Sequence, residues 1–181
     1  MSRLLGAVLA GGRSSRFGSD KAEALLEGRP LVEHAAALLR PIVDDIVLCG
    51  RAYADLPAIA DRPRGGMGPL GGMNAALHHA RAHGFTAVLT LGCDTPHVPI
   101  ALLDRLRAVG SAAFVVGLPV IGHWPAGLAD DLDAFLAEDR KHAIRAWAER
   151  VGAEPIDGPA LANINEPADL ARLSDGDAPR L

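Results

Sequence analysis

Apolar positions along the chain follow two rhythms, and the switches between them mark out the elements. Leu4 to Leu9 is an unbroken apolar run stopped at Gly11-Gly12, as expected of a strand buried on both faces. Pro30 is tolerated in a first helical turn. Leu31, His34, Ala35, Leu38 and Leu39 then recur at helical spacing up to Arg40-Pro41, predicting a helix over about 30–40. Ile46-Val47-Leu48-Cys49 reads as a second short strand, broken by Gly50. Gly68-Pro69-Leu70-Gly71-Gly72 opens a helix running from Met73 to His83 and stopped by Gly84. Thr86 to Leu91 is rich in strand formers and leads straight into Gly92-Cys93-Asp94-Thr95-Pro96. Downstream the pattern predicts a helix from Ile100 to Val109, a strand from Ala112 to Val116 and a Gly- and Pro-broken segment around Leu118–Pro125. Helices near 127–138 and 140–151, a strand at Glu154–Ile156 and a last helix from Pro167 complete the order.

Strands alternating with helices predict an α/β fold: a single, Rossmann-like domain with a mostly parallel sheet and helices on both faces. Residues 1–174 form this domain in the reading, with 175–181 as a loose tail. In such sheets ligands bind beyond the carboxyl ends of the strands. Gly11-Gly12 and Asp94 both fall there, so two polar clusters far apart in sequence share one rim.

Composition narrows the picture. With 181 residues, 49% hydrophobic and 22% charged, the chain is expected to be one packed core and not a disordered segment. Its two cysteines, Cys49 and Cys93, are too few for a disulfide framework, are read as buried thiols and fit a cytoplasmic protein. Arg3 followed by an apolar run imitates a secretory leader, but Leu4 to Ala10 is at the short limit for one and the following segment reads as a binding loop. No apolar stretch reaches the ~20 residues of a membrane span. A formal charge of −4 argues against nucleic acid as a partner. The charge is nevertheless uneven, because Arg13, Arg16 and Lys21 face only Asp20 between Ala10 and Lys21.

That loop, LAGGRSSRFGSDK over 9–21, carries the first candidate chemistry. Glycines directly after a buried strand let backbone N–H groups approach a ligand, and the three cations suit phosphates. The alternative is a solvated Gly/Ser/Arg turn. Neither the P-loop spacing nor G-x-G-x-x-G is present. The chain uses 16 arginines and two lysines, so a lysine at position 21 suggests a need for a compact ammonium. Asp94, ending the clearest strand, suits Mg²⁺ or a helix cap. Gly68, Pro69 and Leu70 lie where a helix start would offer free N–H groups, or where a tight turn would need glycine. Asn163 and Asn165 precede a proline-started helix, which capping alone could explain for Asn165. His78, His79 and His83 share one predicted helix, but no Glu or Cys joins them in sequence, which favours a solvated face over a zinc site.

Together, LAGGRSSRFGSDK (9–21), GPLGG (68–72), CDTP (93–96) and NINEP (163–167) resemble the MobA-like nucleotidyltransferases in order and separation. GPLGG and the late GHWPAGL, DRKHAIR and NINEPADL stretches look most like the members that guanylylate molybdopterin. The resemblance implies transfer of GMP from GTP to molybdopterin, with Mg²⁺ as the metal. Leu9, Ala10 and Gly11 would contact the nucleotide, Lys21 would meet its phosphates, Asp61 would lie in its site and Asp94 would hold Mg²⁺; Gly12, Gly68, Pro69 and Leu70, read from their glycine loop and helix start, are further candidates for the nucleotide. A molybdenum insertase and target molybdoenzymes or their chaperones are implied as partners. Many relatives carry Asn where this chain has Cys49, which puts a side-chain contact there in doubt.

Chemistry assigns roles within that frame. In-line attack by the molybdopterin phosphate on the α-phosphorus needs positioned cations and no covalent intermediate, which suits Arg16, Lys21 and Asp94, with Arg13 a weaker candidate. Guanine presents N1–H and N2–H₂ as adjacent donors that one carboxylate accepts together, and Asp61 is the candidate acceptor. Arg140, Lys141 and Arg145, with Asn163 and Asn165, are candidates for the anionic acceptor. CMP transfer to molybdopterin, a sugar-phosphate nucleotidyltransferase and a nucleotide-binding carrier without turnover stay open as alternatives.

Overall fold

The computed structural model describes residues 3–11, 20–138 and 142–174. The expected tail at 175–181 lies outside them. In chain order the strands are β1 (Leu4–Leu9), β2 (Leu25–Leu26), β3 (Arg29–Pro30), β4 (Asp45–Cys49), β5 (Ala58–Ile59), β6 (Ala87–Gly92), β7 (Ala113–Val115), β8 (Leu118–Pro125) and β9 (Glu154–Ile156). The α-helices are α1 (Leu31–Leu39), α2 (Pro69–Ala82), α3 (Ile100–Ala108), α4 (Ala129–Leu136), α5 (Ile144–Arg150) and α6 (Pro167–Ser174). Seven strands form one sheet in the order β5-β4-β1-β6-β8-β7-β9, in which β8 alone runs against its neighbours. The mostly parallel α/β sheet is as the apolar runs predict.

Side chains of β1 alternate between two cores with the period of a strand. Leu5, Ala7 and Leu9 enter a cluster roofed by α2, α4 and α5; Leu4 and Val8 enter one roofed by α1 and α3. Helices therefore cover both faces. A third, smaller cluster of Leu26, Leu31, Ile164 and Leu173 ties α6 to the β2–β3 hairpin.

Several elements depart from the sequence reading: the two-residue strands β2, β3 and β5 are not expected from it, and the helix expected near 140–151 is seen from Ile144, after the Ala143 cap. The segment 118–125, expected as a broken connection, is the eight-residue strand β8, joined to β7 by the short turn at Val116-Gly117. Helix α2 begins at Pro69 and not at Met73, because Pro69 occupies a first-turn position after the Gly68 cap.

The first core rests on two tryptophans. Trp124 is fully buried, tilts against Trp147 with centroids 4.8 Å apart and donates its indole N–H to Thr90 Oγ1 at 3.0 Å. Trp124→Ala leaves a large cavity, and urea unfolding is expected to show a loss of about 3–5 kcal/mol.

Candidate functional site

Three neighbouring strands deliver their carboxyl ends to one rim. The ladder continues past the strands, with Ala10 N–H donating to Cys49 C=O at 3.2 Å and Cys93 N–H to Leu9 C=O at 3.3 Å. The chain crosses from β1 out to β4 and then back over to β6 on the other side of β1, so the rim lies at a switch point of the sheet order.

Lys21 opens a 3₁₀ turn, Lys21–Glu23, whose start is capped by Asp20 accepting from Ala22 N–H at 3.1 Å. Its Nζ lies 3.2 Å from Asp94 Oδ2, closing a separation of 73 residues. Both side chains are largely covered, 16% exposed for Lys21 and 29% for Asp94. Thr95, fully buried, donates its hydroxyl to Asp94 Oδ1 at 3.4 Å. Gly92 leaves the carboxylate its place: a Cβ there would meet Asp94 Oδ1 at 2.5 Å. Helix α3 starts only at Ile100, with Pro99 as its cap, so Asp94 is not a capping residue. Ile164 N–H donates to Asp94 C=O at 2.8 Å, which brings the segment of Asn163 beside this pair; Asn163 Oδ1 is buried without a partner among the described residues.

Beside the rim lies a cleft of ≈ 770 Å³ whose walls include Gly11, Gly50, Arg51, Asp61 and Gly68. Gly50 has φ +87°, and a Cβ on it would come within 2.6 Å of Gly11 Cα, so the ends of β1 and β4 can touch only through glycine. Among the described residues no donor reaches the Asp61 carboxylate, and burial holds its pKa above the usual carboxylate range. Cys49 faces inward instead, packed so tightly that a Cβ at Gly72 would sit 2.9 Å from its own. Burial, with Asp61 adding, pushes its thiol up, and its carbonyl already accepts from Ala10. Cys93, also buried, is pushed up to about 11, mainly by burial with Asp94 adding, while Lys21 and Arg51 oppose.

The remaining candidates fall as follows. Gly12, Arg13, Arg16, Arg140 and Lys141 lie outside the described residues. Leu9 and Leu70 are buried in the core, which leaves only their backbone for a ligand. Gly68 and Pro69 form the exposed start of α2. Arg145 is exposed on α5 and paired with Glu149 at 3.0 Å; no contact ties it to Lys21 or Asp94. Asn165 is exposed, and the start of α6 is instead capped by Asp169, whose Oδ2 accepts from the N–H groups of Asn165 and Glu166 at 2.8 and 2.9 Å.

The histidine face is not simply solvated. His78 Nε2 lies 2.8 Å from Asp133 Oδ2, and Asn74, fully buried, donates to Asp133 Oδ1 at 2.6 Å. Ligand atoms of His78, Asp130 and Asp133 fall within 4.8 Å of one another. Arg81 already occupies that group, donating to Asp130 at 2.7 Å with its other terminal nitrogen 3.3 Å from His78 Nδ1. Arg51 is the residue that motif reading missed. Its signal was an arginine directly after the glycine that ends β4, the strand beside β1.

Comparison with known proteins agrees with this fold. A family model described as the MobA-like NTP transferase domain matches residues 6–153. A molybdenum cofactor guanylyltransferase from Rhizobium leguminosarum bv. trifolii is 36% identical over 190 residues, covering 94% of this chain and 91% of that protein. One from Sinorhizobium fredii is 39% identical over 178 residues, covering 90% and 82%. Among solved structures, molybdopterin-guanine dinucleotide biosynthesis protein A from Archaeoglobus fulgidus superposes with TM-score 0.75 at 24% identity over 96% of this chain and 98% of that one. The 2-C-methyl-D-erythritol 4-phosphate cytidylyltransferase of Thermus thermophilus shares the fold with TM-score 0.70 at 16% identity, covering 94% and 97%. The family match spans most of the chain, and the chain belongs to the MobA-like NTP transferase domain family.

Proposed function

We propose that this protein transfers GMP from GTP to the phosphate of molybdopterin, releasing pyrophosphate and forming molybdopterin guanine dinucleotide. One arrangement carries this: an unpaired carboxylate, Asp61, lines the cleft beside the strand ends that hold Lys21 against Asp94. The names of the curated relatives support the choice of nucleotide and acceptor.

A phosphate oxygen of the acceptor attacks the α-phosphorus in line, and the bond from that phosphorus to the bridging oxygen of the β-phosphate breaks as pyrophosphate leaves. Lys21 stabilises the charge that builds on the phosphoryl oxygens and the leaving group. The backbone of Leu9, Ala10 and Gly11, with the exposed start of α2 at Gly68, forms the wall against which the nucleotide lies. Asp94 fits a magnesium ion: its carboxylate is partly exposed, sits in a cradle that a Cβ on Gly92 would fill, and supplies the single carboxylate such an ion commonly takes beside substrate phosphates. Magnesium bound there would supply neutralisation of phosphate charge. Asn163 is the proposed contact for the pterin side, supported by its place beside the Asp94 loop and by a buried Oδ1 without a partner among the described residues. Among the described residues no helix is long and apolar enough to cross a membrane. Two free, buried cysteines support a cytoplasmic location.

Incubation with GTP, Mg²⁺ and molybdopterin is expected to yield the guanine dinucleotide by mass, with pyrophosphate. A cytosine dinucleotide formed in preference with CTP, or pyrophosphate released only with a sugar 1-phosphate, overturns the reading.

Asp61 gives base choice a specific test. Its ionised carboxylate accepts guanine N1–H and N2–H₂ together, which adenine cannot match. Asp61→Asn is therefore expected to cut the preference for GTP over ATP by about 10- to 100-fold in kcat/KM. Because burial raises the carboxyl's pKa, KM for GTP should climb, as pH falls, before an ordinary surface aspartate would be protonated. Stability takes the opposite sign. A carboxyl with a raised folded-state pKa contributes stability below its unfolded value and loses it as pH rises through the folded one. Near neutral pH the ionised Asp61 is a cost, and the Asn variant should melt no lower than the parent. Unchanged base preference removes Asp61 from guanine recognition.

A further inference from the structure

Arg51 stands between the cleft and the Lys21–Asp94 pair. It lines the same walls as Asp61, and its guanidinium pairs with Asp20, the residue before Lys21. Its charge also acts on Cys93, the residue before Asp94. The pairing is fork to fork: Nη1 donates to Asp20 Oδ1 and Nη2 faces Oδ2. Nε is buried and has no partner among the described residues. A buried donor without an acceptor is costly, and a guanidinium offers Nε–H and an Nη–H along one edge in the spacing that a phosphate accepts. The side chain is 21% exposed, so part of the group faces the cleft.

Charge at the rim points the same way. Lys21 is taken up by Asp94 and Arg51 by Asp20, so both of these cations are already paired with carboxylates. A triphosphate needs cations that can be released to it. Asp20 has a second task, capping the turn of Lys21, which asparagine performs equally well.

We propose that Arg51 binds a phosphate group of the nucleotide, in competition with Asp20. This deepens the guanylyl-transfer reading and rests on it for the identity of the nucleotide. On binding, the guanidinium exchanges one carboxylate partner for phosphate oxygens, Nε gains an acceptor and Asp20 keeps its cap.

The test is calorimetric titration of the full chain with GTP and with guanosine, in magnesium and without acceptor. Arg51→Gln is expected to weaken GTP by about 10- to 100-fold. Guanosine binding should stay unchanged, which also shows that the cleft is folded. Arg51→Lys keeps the charge but loses the fork, and should fall between. Asp20→Asn removes the competitor and keeps the cap, so GTP should bind at least as tightly as to the parent. The proposal fails if Arg51→Gln leaves GTP binding intact or weakens guanosine equally. It also fails if Asp20→Asn loses GTP as severely as Arg51→Gln does, since the pair is then only a brace. A parent protein that binds CTP in place of GTP overturns the guanine reading alone; CTP and cytidine then test Arg51 in the same way. Binding of no triphosphate overturns both.

Discussion

Lys21→Ala is expected to lower kcat by at least ~10²-fold, the scale of losing one preorganised electrostatic group from a transition state. KM for GTP should change much less, because the charge met by Lys21 grows as the phosphoryl group transfers and is smaller in the ground state. The structure makes the residue hard to replace. Its Nζ is held 3.2 Å from Asp94, largely covered, at the start of a turn fixed by the Asp20 cap. Lys21→Arg should rescue poorly, since a broader planar guanidinium cannot take the position of a compact ammonium in so covered a place. In a chain with 16 arginines and two lysines, that substitution tests whether charge alone suffices. Some loss of melting temperature is expected as well, because a largely covered Asp94 loses its partner, so turnover is compared at a temperature where the variant is folded. Steady-state kinetics beside a thermal melt decide the matter, and near-normal turnover removes Lys21 from the mechanism.

The sequence was most legible where burial is two-sided. β1 and β6 read as continuous apolar runs because both of their faces meet helices; β6 ends at Gly92, and β1 is followed by Ala10 and then Gly11. Glu154–Ile156 falls as predicted although only Ile156 is buried. β8 was obscured by Pro119, Gly122 and Pro125. Gly122 is no breaker there: the Trp124 indole folds back over it, and a Cβ would come within 2.6 Å of the ring. The two-residue strands β2, β3 and β5 are too short to show any period.

The site divides along a similar line. Lys21 and Asp94 could be brought together in advance because parallel strands leave their carboxyl ends on one edge, whatever the details of packing. Groups defined by long-range partners could not. His78 looked solvated because Asp133 is 55 residues away on α4. Capping at α6 was credited to Asn165, whereas Asp169 reaches back from inside the helix. Arg51 carried no motif at all; only its pairing with Asp20 and its place in the cleft distinguish it from the other arginines.

Asp94→Asn is the companion test, and is expected to cost turnover at least ~10²-fold as well. Asparagine keeps the shape and can still accept from Thr95, so the cradle above Gly92 survives while the negative charge is lost. A neutral oxygen is a poor ligand for a hard divalent cation, so the magnesium concentration needed for half-maximal rate should rise. That second readout separates ligation from structure: a carboxylate serving only to anchor Lys21 would leave the metal requirement unchanged. In the proposed reaction Lys21 and Asp94 serve the same phosphates, so their effects should not multiply. The double variant is expected to be only slightly slower than the worse single one. Full multiplication of the two losses means that the residues act at separate steps. A normal rate with a normal magnesium requirement in Asp94→Asn means that the metal is held elsewhere in the protein.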